Sequence, residues 1–307
     1  MTKNAHPLSP SSTPPPDASP RPVETGSVIP MRSARPKVAP NVVAITSGKG
    51  GVGKTNVAAN LALAYAEHGA RVLCIDADLG LANMDIVMGV APTYTAAELV
   101  RGEVAVEDVL LAVHDGVWLL PGASGQYDLA NLSDVARRNL FSAVDSLDDR
   151  FDVIVVDTGA GVGTNAVGFA SAAKDIVVVV TPEPTSVADA YGMIKVLVTR
   201  CAVRRVKVIT SMVASTAEGD QVFRRLASLV TRFLDASLDH LGSLPRDPAL
   251  SRSVMRGDPI LRAYPDAPYS RAMRAIASRL VQQDDVDDRA GAIRLFWRKL
   301  LRQGGRP

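Results

Sequence analysis

Aromatic residues are scarce in this chain: they make up 5% of its 307 residues, against 47% for hydrophobic residues as a whole. A core built from that supply is mostly Val, Ala and Leu, which suits a parallel sheet covered by helices on both faces. Cysteine is scarcer still. Cys74 and Cys201 make no metal-ligand spacing, and two reduced thiols in a cytosolic protein are the expectation. No apolar run approaches the roughly 20 residues needed to cross a bilayer. The opening Met-Thr-Lys-Asn leads into no apolar segment of a secretion signal. A cytoplasmic protein whose membrane contact, if any, is peripheral is therefore predicted. The net charge is only +2, so where the charges lie matters more than their sum.

Proline is unevenly placed, with ten of the 20 prolines in residues 1–40. That stretch is rich in serine and poor in large apolar residues. It cannot bury enough surface to offset its ordering entropy, which predicts a disordered arm ending at Pro40. From Asn41 onward, short apolar runs alternate with helix-length segments. The runs are 42–45, 72–75, 117–120, 153–156, 176–180, 206–209 and a weaker 238–241. Continuous Val/Ile runs between helical stretches predict a mostly parallel sheet, buried on both faces, with the functional edge at the strands' C-terminal ends. Helices are predicted over 54–68, 133–147, 185–200, 217–235 and 269–282.

The densest chemistry lies in residues 42–55, Val-Val-Ala-Ile-Thr-Ser-Gly-Lys-Gly-Gly-Val-Gly-Lys-Thr. A strand-like run, a glycine-rich turn and a helix-like segment follow in order, the context that the phosphate-loop pattern G-x-x-x-x-G-K-[ST] requires. A triphosphate must lie against bare backbone for N–H groups and a helix N-terminus to reach its oxygens, and glycine permits that approach. Gly48, Lys49, Gly50, Gly51, Val52, Gly53, Lys54, Thr55 and Asn56 are the expected nucleotide contacts. Lys54 supplies charge for the β and γ phosphates, and the Thr55 hydroxyl is placed for Mg²⁺. Lys49 is a second cation that a simple phosphate loop does not need. On the loop alone it reads first as a solvated lysine, with a charge that meets the nucleotide of a facing subunit as the functional alternative, and the rest of the chain decides between them.

Three carboxylates complete the set. Asp157 closes the run 153–156 beside Thr-Gly-Ala-Gly, where a carboxylate can hold the water shell of Mg²⁺. Asp76 and Asp78 close the run 72–75. Asp78 stands farther from the rigid strand and is the better candidate for orienting an attacking water.

Taken together, four stretches carry a resemblance. Ser-Gly-Lys-Gly-Gly-Val-Gly-Lys-Thr-Asn (47–56) resembles the deviant Walker A motif of the MinD/ParA ATPases. Asp-Ala-Asp-Leu-Gly-Leu-Ala-Asn-Met-Asp (76–85), Val-Asp-Thr-Gly-Ala-Gly (156–161) and Thr-Pro-Glu-Pro-Thr-Ser-Val-Ala-Asp-Ala-Tyr-Gly-Met-Ile-Lys (181–195) narrow it to the branch that controls flagellar number and placement (FlhG, FleN, YlxH). The resemblance spans about residues 41–282. It implies a three-layer P-loop NTPase fold, slow hydrolysis of ATP with Mg²⁺, and an ATP-bridged homodimer. By residue, it implies Lys49 and Lys54 on phosphate, Thr55 and Asp157 on the metal, and Asp78 on the attacking water. It also implies partners such as the flagellar GTPase FlhF, flagellar switch (C-ring) proteins or a flagellar transcription regulator. This chain has Ser211 where the family usually has an asparagine for the base, which shortens the reach to adenine. Its arm lacks the Asp-Gln-Ala-x-x-Leu-Arg type of element through which many such proteins stimulate FlhF.

The end of the chain forms the second informative feature. Asp284, Asp285, Asp287 and Asp288 read as an acidic hinge, and six cations without an acid follow between Arg289 and Arg306. At 100° per residue, Ile293, Phe296, Trp297, Leu300 and Leu301 share an arc of about 140°, with Arg294, Arg298, Lys299 and Arg302 opposite. A basic face behind Trp and Phe predicts an amphipathic helix lying on an anionic membrane, against the alternative of a helix docked on its own domain or a partner. One such helix binds marginally and two in a dimer bind firmly, so ATP would switch location. A ParA-like partition or cargo-positioning ATPase that binds DNA is the competing reading. It needs a basic surface on the folded domain, whereas the clearest cationic cluster lies in the tail, so nucleic acid is not the expected partner.

Overall fold

In the computed structural model, the described residues are 40–78, 81–122 and 150–284, with Val135, Asn139, Ala143, Leu147, Phe296, Lys299 and Leu300 described individually. The expected N-terminal arm and acidic hinge lie outside them, apart from Pro40 and Asp284. One eight-stranded sheet organises the chain. Its strands are β1 (Asn41–Ser47), β2 (Val72–Ala77), β3 (Leu111–His114), β4 (Val117–Leu120), β5 (Val153–Ala160), β6 (Asp175–Val180), β7 (Arg205–Val213) and β8 (Ser237–Pro245). They run in the spatial order β3-β4-β2-β5-β1-β6-β7-β8, and every pairing is parallel except β3 with β4.

Alternation along the central strands explains why Val and Ile dominate them. Val43 and Ile45 of β1 join one apolar cluster while Val42 and Ala44 join another; Val155 and Val156 of β5 divide in the same way. Both faces are buried, so neither can be polar. The first face is covered by α1 (Lys54–Glu67), the short α2 (Met84–Met88) and, beyond β8, α8 (Pro248–Met255), α9 (Ile260–Ala263) and α10 (Pro268–Asp284). The opposite face carries α3 (Ala96–Arg101), α4 (Val106–Val109) and α5 (Thr164–Ala172), with α6 (Pro184–Cys201) and α7 (Thr216–Phe233) over the β6–β8 side. Within α1, the fully buried Asn60 receives the backbone N–H of Leu261 at 3.0 Å and donates to the Asn56 carbonyl at 2.8 Å, tying α1 to α9.

All seven expected strands are present, and four of the five expected helices correspond to α1, α6, α7 and α10. The fifth, 133–147, falls mostly outside the described residues; Val135, Asn139 and Ala143 of it are helical. β2, β5 and β7 run past their apolar cores to Ala77, Ala160 and Val213. Asp76, Asp157 and Ser211 therefore sit inside strands rather than just beyond them.

Candidate functional site: a phosphate loop at the C-terminal edge of the sheet

β1 delivers the chain to this edge and α1 carries it away, leaving Gly48–Gly53 as the connection. Gly51 (φ 77°) and Gly53 (φ 92°) are left-handed, which L side chains adopt only with strain. Gly48 is required for a different reason. A Cβ there would lie 1.9 Å from the Asp189 carbonyl oxygen in α6, so the loop rests directly on that helix. Ser47 donates its hydroxyl to the Lys49 carbonyl at 2.6 Å, and the Gly161 N–H bonds the Ser47 carbonyl at 2.9 Å. Val52 is buried in the core, which anchors the middle of the loop, while Gly50 and Gly51 are exposed.

Lys54 and Thr55 open α1, and Lys54 is buried. Thr55 bonds the side chain of Asp157, which β5 places inside the sheet. Asp157 is 1% exposed, and its Oδ1 has no hydrogen-bond partner. Burial and the neighbouring Asp76 raise its pKa from 3.8 to about 7, against the lowering pull of Thr55 and Lys54. A buried carboxylate oxygen without a partner, beside a threonine hydroxyl and a glycine cradle, has the donor chemistry for a magnesium–nucleotide pair. Among the described residues, no cluster of three or more His, Cys, Asp or Glu side chains could hold a metal unaided.

Asp78 lies just past β2. Its Oδ1 accepts the Leu81 N–H at 3.2 Å, and its carboxylate faces Gly159 of β5, 3.5 Å from where a Cβ would stand. Ser211 is buried in β7, and its hydroxyl lies 3.8 Å from the position of a Gly53 Cβ. The next residue, Met212, has φ 58°, a left-handed backbone at a residue other than glycine. The site thus brings together Gly48 to Asn56, Asp78, Asp157 and Ser211, from the C-terminal ends of the adjacent strands β2, β5 and β1 and of β7, one strand farther along.

Two residues are more prominent here than the sequence reading made them. Glu183, at the N-cap of α6, forms an ion pair with Lys49, and Thr185 accepts a second bond from the same ammonium at 3.4 Å. Lys49 therefore lies toward α6 within its own subunit. Asp76 accepts three backbone N–H groups. Stretches 181–195 and 76–85 contain both residues, but the partners of neither can be read from spacing.

The expected membrane face divides. Ile293, Trp297 and Leu301 lie outside the described residues. Phe296 and Leu300 are helical and only 1% and 5% exposed. They join the cluster beneath α5, with the Phe296 ring 6.3 Å from that of Phe169. In this structure the two face protein, the arrangement of the docked alternative. Among the described residues, no helix is long and apolar enough to cross a membrane.

Comparison with known proteins agrees with this geometry. The chain is 41% identical over 239 residues to the antiactivator FleN of Pseudomonas aeruginosa, covering 78% of this chain and 85% of the relative. It is 32% identical over 267 residues to the flagellum site-determining protein YlxH of Helicobacter pylori, covering 86% and 90%. The fold matches the septum site-determining protein MinD of Pyrococcus horikoshii, solved with Mg-ADP, at a TM-score of 0.65 and 24% identity over 80% of this chain and 98% of that one. Residues 43–260 match the CobQ/CobB/MinD/ParA nucleotide-binding domain, and this chain belongs to that family.

Proposed function

We propose that this protein is an ATP-dependent dimerising switch that sets flagellar number and placement from the inner face of the cytoplasmic membrane, and that slow ATP hydrolysis resets it. The observation that carries the proposal is a complete phosphate loop, Gly48 to Thr55, with an additional lysine, Lys49, that is held by Glu183. Two flagellar relatives at 41% and 32% identity support the flagellar assignment over a partition ATPase.

The loop's N–H groups and Lys54 bind the phosphates; the Thr55 hydroxyl would bind a magnesium ion and Asp157 would hold that ion's water shell. Magnesium supplies charge neutralisation on the phosphates. Asp78 orients the attacking water. Lys49 leaves Glu183 to reach the nucleotide of the facing subunit, which makes dimerisation depend on ATP. The Ser211 hydroxyl contacts the base. At the membrane, Phe296 and Leu300 serve a lipid surface only after leaving the α5 cluster, together with Ile293, Trp297 and Leu301. Protein partners of the dimer are a flagellar transcription regulator, C-ring proteins or FlhF.

Size exclusion with ATP tests the core of this reading. Asp78→Ala is expected to run as a stable dimer with ATP and a monomer without it, while Lys49→Ala stays a monomer in both conditions. An Asp78→Ala protein that remains a monomer at saturating ATP and Mg²⁺ would overturn the switch.

A further inference from the structure

Asp76 has no role in the site as described so far, yet it is among the most heavily bonded side chains there. It lies in β2, 4% exposed, in register with Asp157 on the neighbouring strand β5. Its Oδ1 accepts the N–H of Asp78 at 3.2 Å. Its Oδ2 accepts the N–H groups of Asn83 and Met84, both at 2.9 Å. One carboxylate thus ties Asp78 to Asn83 and Met84 at the start of α2, with residues 79 and 80 between them outside the described residues. Asn83 occupies the N-cap of α2 but makes no side-chain cap bond. Asp76, reaching in from the sheet, accepts from the N–H groups of Asn83 and of Met84, the first residue of α2, neither of which has an acceptor within the helix.

Asp76 and Ala82 are also braced from the β4 side. Gly122, two residues past that strand, approaches so closely that a Cβ would stand 2.6 Å from the Asp76 carbonyl oxygen and 2.9 Å from the Ala82 Cβ. Asp78 lies over Gly159 of β5. The ties from Asp76 and the packing at Gly122 therefore fix where Asp78 stands relative to Asp157 and the phosphate loop.

The two buried carboxylates differ in how their oxygens are used. Asp157 keeps an Oδ1 without a partner. Asp76 has both oxygens engaged, one of them by two N–H groups, which uses both of that oxygen's lone pairs. Placing a second carboxylate next to Asp157 in the sheet costs free energy, because desolvation and like charge oppose ionisation. A residue with only a packing role would not need to be charged.

We propose that Asp76 is a positioning residue, whose carboxylate ties Asp78 to Asn83 and Met84 so that Asp78 is aimed at the reacting centre, without itself touching nucleotide or metal. The proposal rests on the hydrolytic role given to Asp78 above. Asp76→Asn tests it, since the amide keeps the size but turns one acceptor oxygen into a donor that faces backbone N–H. In the full chain with a fluorescent ATP analogue, affinity should stay within about threefold of the parent, while turnover falls on the order of 10- to 100-fold, as expected for a misaimed group. The half-saturating Mg²⁺ concentration should not move. With ATP, the variant should accumulate as a dimer.

A readout independent of turnover is amide hydrogen exchange on the nucleotide-free protein. Asp78, Asn83 and Met84 should exchange faster in Asp76→Asn, with β5 unchanged. Gly122→Ala, which leaves the carboxylate in place but crowds it and Ala82, should reproduce the split between affinity and turnover. Unchanged exchange at those three amides overturns the proposal, as does a several-fold rise in the Mg²⁺ requirement, which would make Asp76 part of the metal shell. Full turnover in Asp78→Ala would instead sink the reading of Asp78, and the exchange result would still decide whether Asp76 ties Asp78 to Asn83 and Met84.

Discussion

Asp76 and Asp157 sit in register on adjacent strands, and the strain of keeping both carboxylates buried should be visible in solution. Burial raises Asp76 to about 6 and Asp157 to about 7 from an ordinary 3.8. Between the ordinary value and the raised ones, the folded chain binds more protons than the unfolded chain, so stability falls as pH rises. The contribution is fully present below about pH 4 and gone above about pH 7. Nucleotide-free Asp157→Asn should therefore be more stable than the parent at pH 8, with the advantage shrinking or reversing at pH 5. Urea midpoints at the two pH values check this. A parent whose midpoint rises steadily from pH 5 to pH 8 by more than the variant's would contradict it. Gly48 is a steric counterpart at the same scale. Its φ is not left-handed, so Gly48→Ala acts only through the clash with the Asp189 carbonyl. Overpacking of this kind costs roughly 1–3 kcal/mol, and a shifted loop should lose ATP binding, measurable by titration with a fluorescent analogue.

At the scale of elements, α2 is tied to Asp76 at its start, through the N–H groups of Asn83 and Met84. Its C-cap, Gly89, is left-handed at φ 68°, and a Cβ there would stand 1.9 Å from the Gly257 carbonyl oxygen in the turn between α8 and α9. Gly89→Ala must therefore prise α2 from that turn while straining its own backbone. The expected loss is about 2 kcal/mol or more of stability, with faster amide exchange through α2 and the α8–α9 turn; exchange confined to parent rates in both would be the contrary result. The long elements were legible because burial on both faces leaves unbroken Val and Ile runs, which is why β1, β2, β5 and β6 stood out. β3 was missed: Leu111–His114 is only partly buried at the sheet edge and pairs antiparallel in a hairpin with β4. α2, α3 and α4, of four to six residues, are too short to show a helical period. At the site, glycine spacing and the acids after apolar runs marked the loop, Asp78 and Asp157. The bonds of Asp76 go to backbone N–H groups, which leave no sequence trace, and the Lys49–Glu183 pair spans residues far apart in the chain. Nor does anything in the sequence mark Met212 as left-handed.

Across the whole molecule, one apolar face is asked to do two things. Phe296 and Leu300, four residues apart on a helix, are buried in the α5 cluster, yet they belong to the arc proposed to enter lipid. A face cannot serve both surfaces at once, so protein and membrane compete for it, and the balance depends on how well α5 holds the two side chains. Truncating Phe296 weakens both sides of that competition and separates nothing. Phe169→Ala is the cleaner perturbation, because it removes the ring that packs against Phe296 while leaving the terminal segment intact. Phenylalanine-to-alanine changes in cores cost about 3–5 kcal/mol, part of which is the contact with Phe296. Phe169→Ala should therefore pellet with anionic liposomes without ATP, where the parent stays in the supernatant. A Phe169→Ala chain ending at residue 283 should lose that binding. If the full-length variant pellets no better than the parent in the absence of nucleotide, while a thermal melt shows it still folded, the packing at α5 does not restrain the segment and the exchange between protein and lipid is not what controls location.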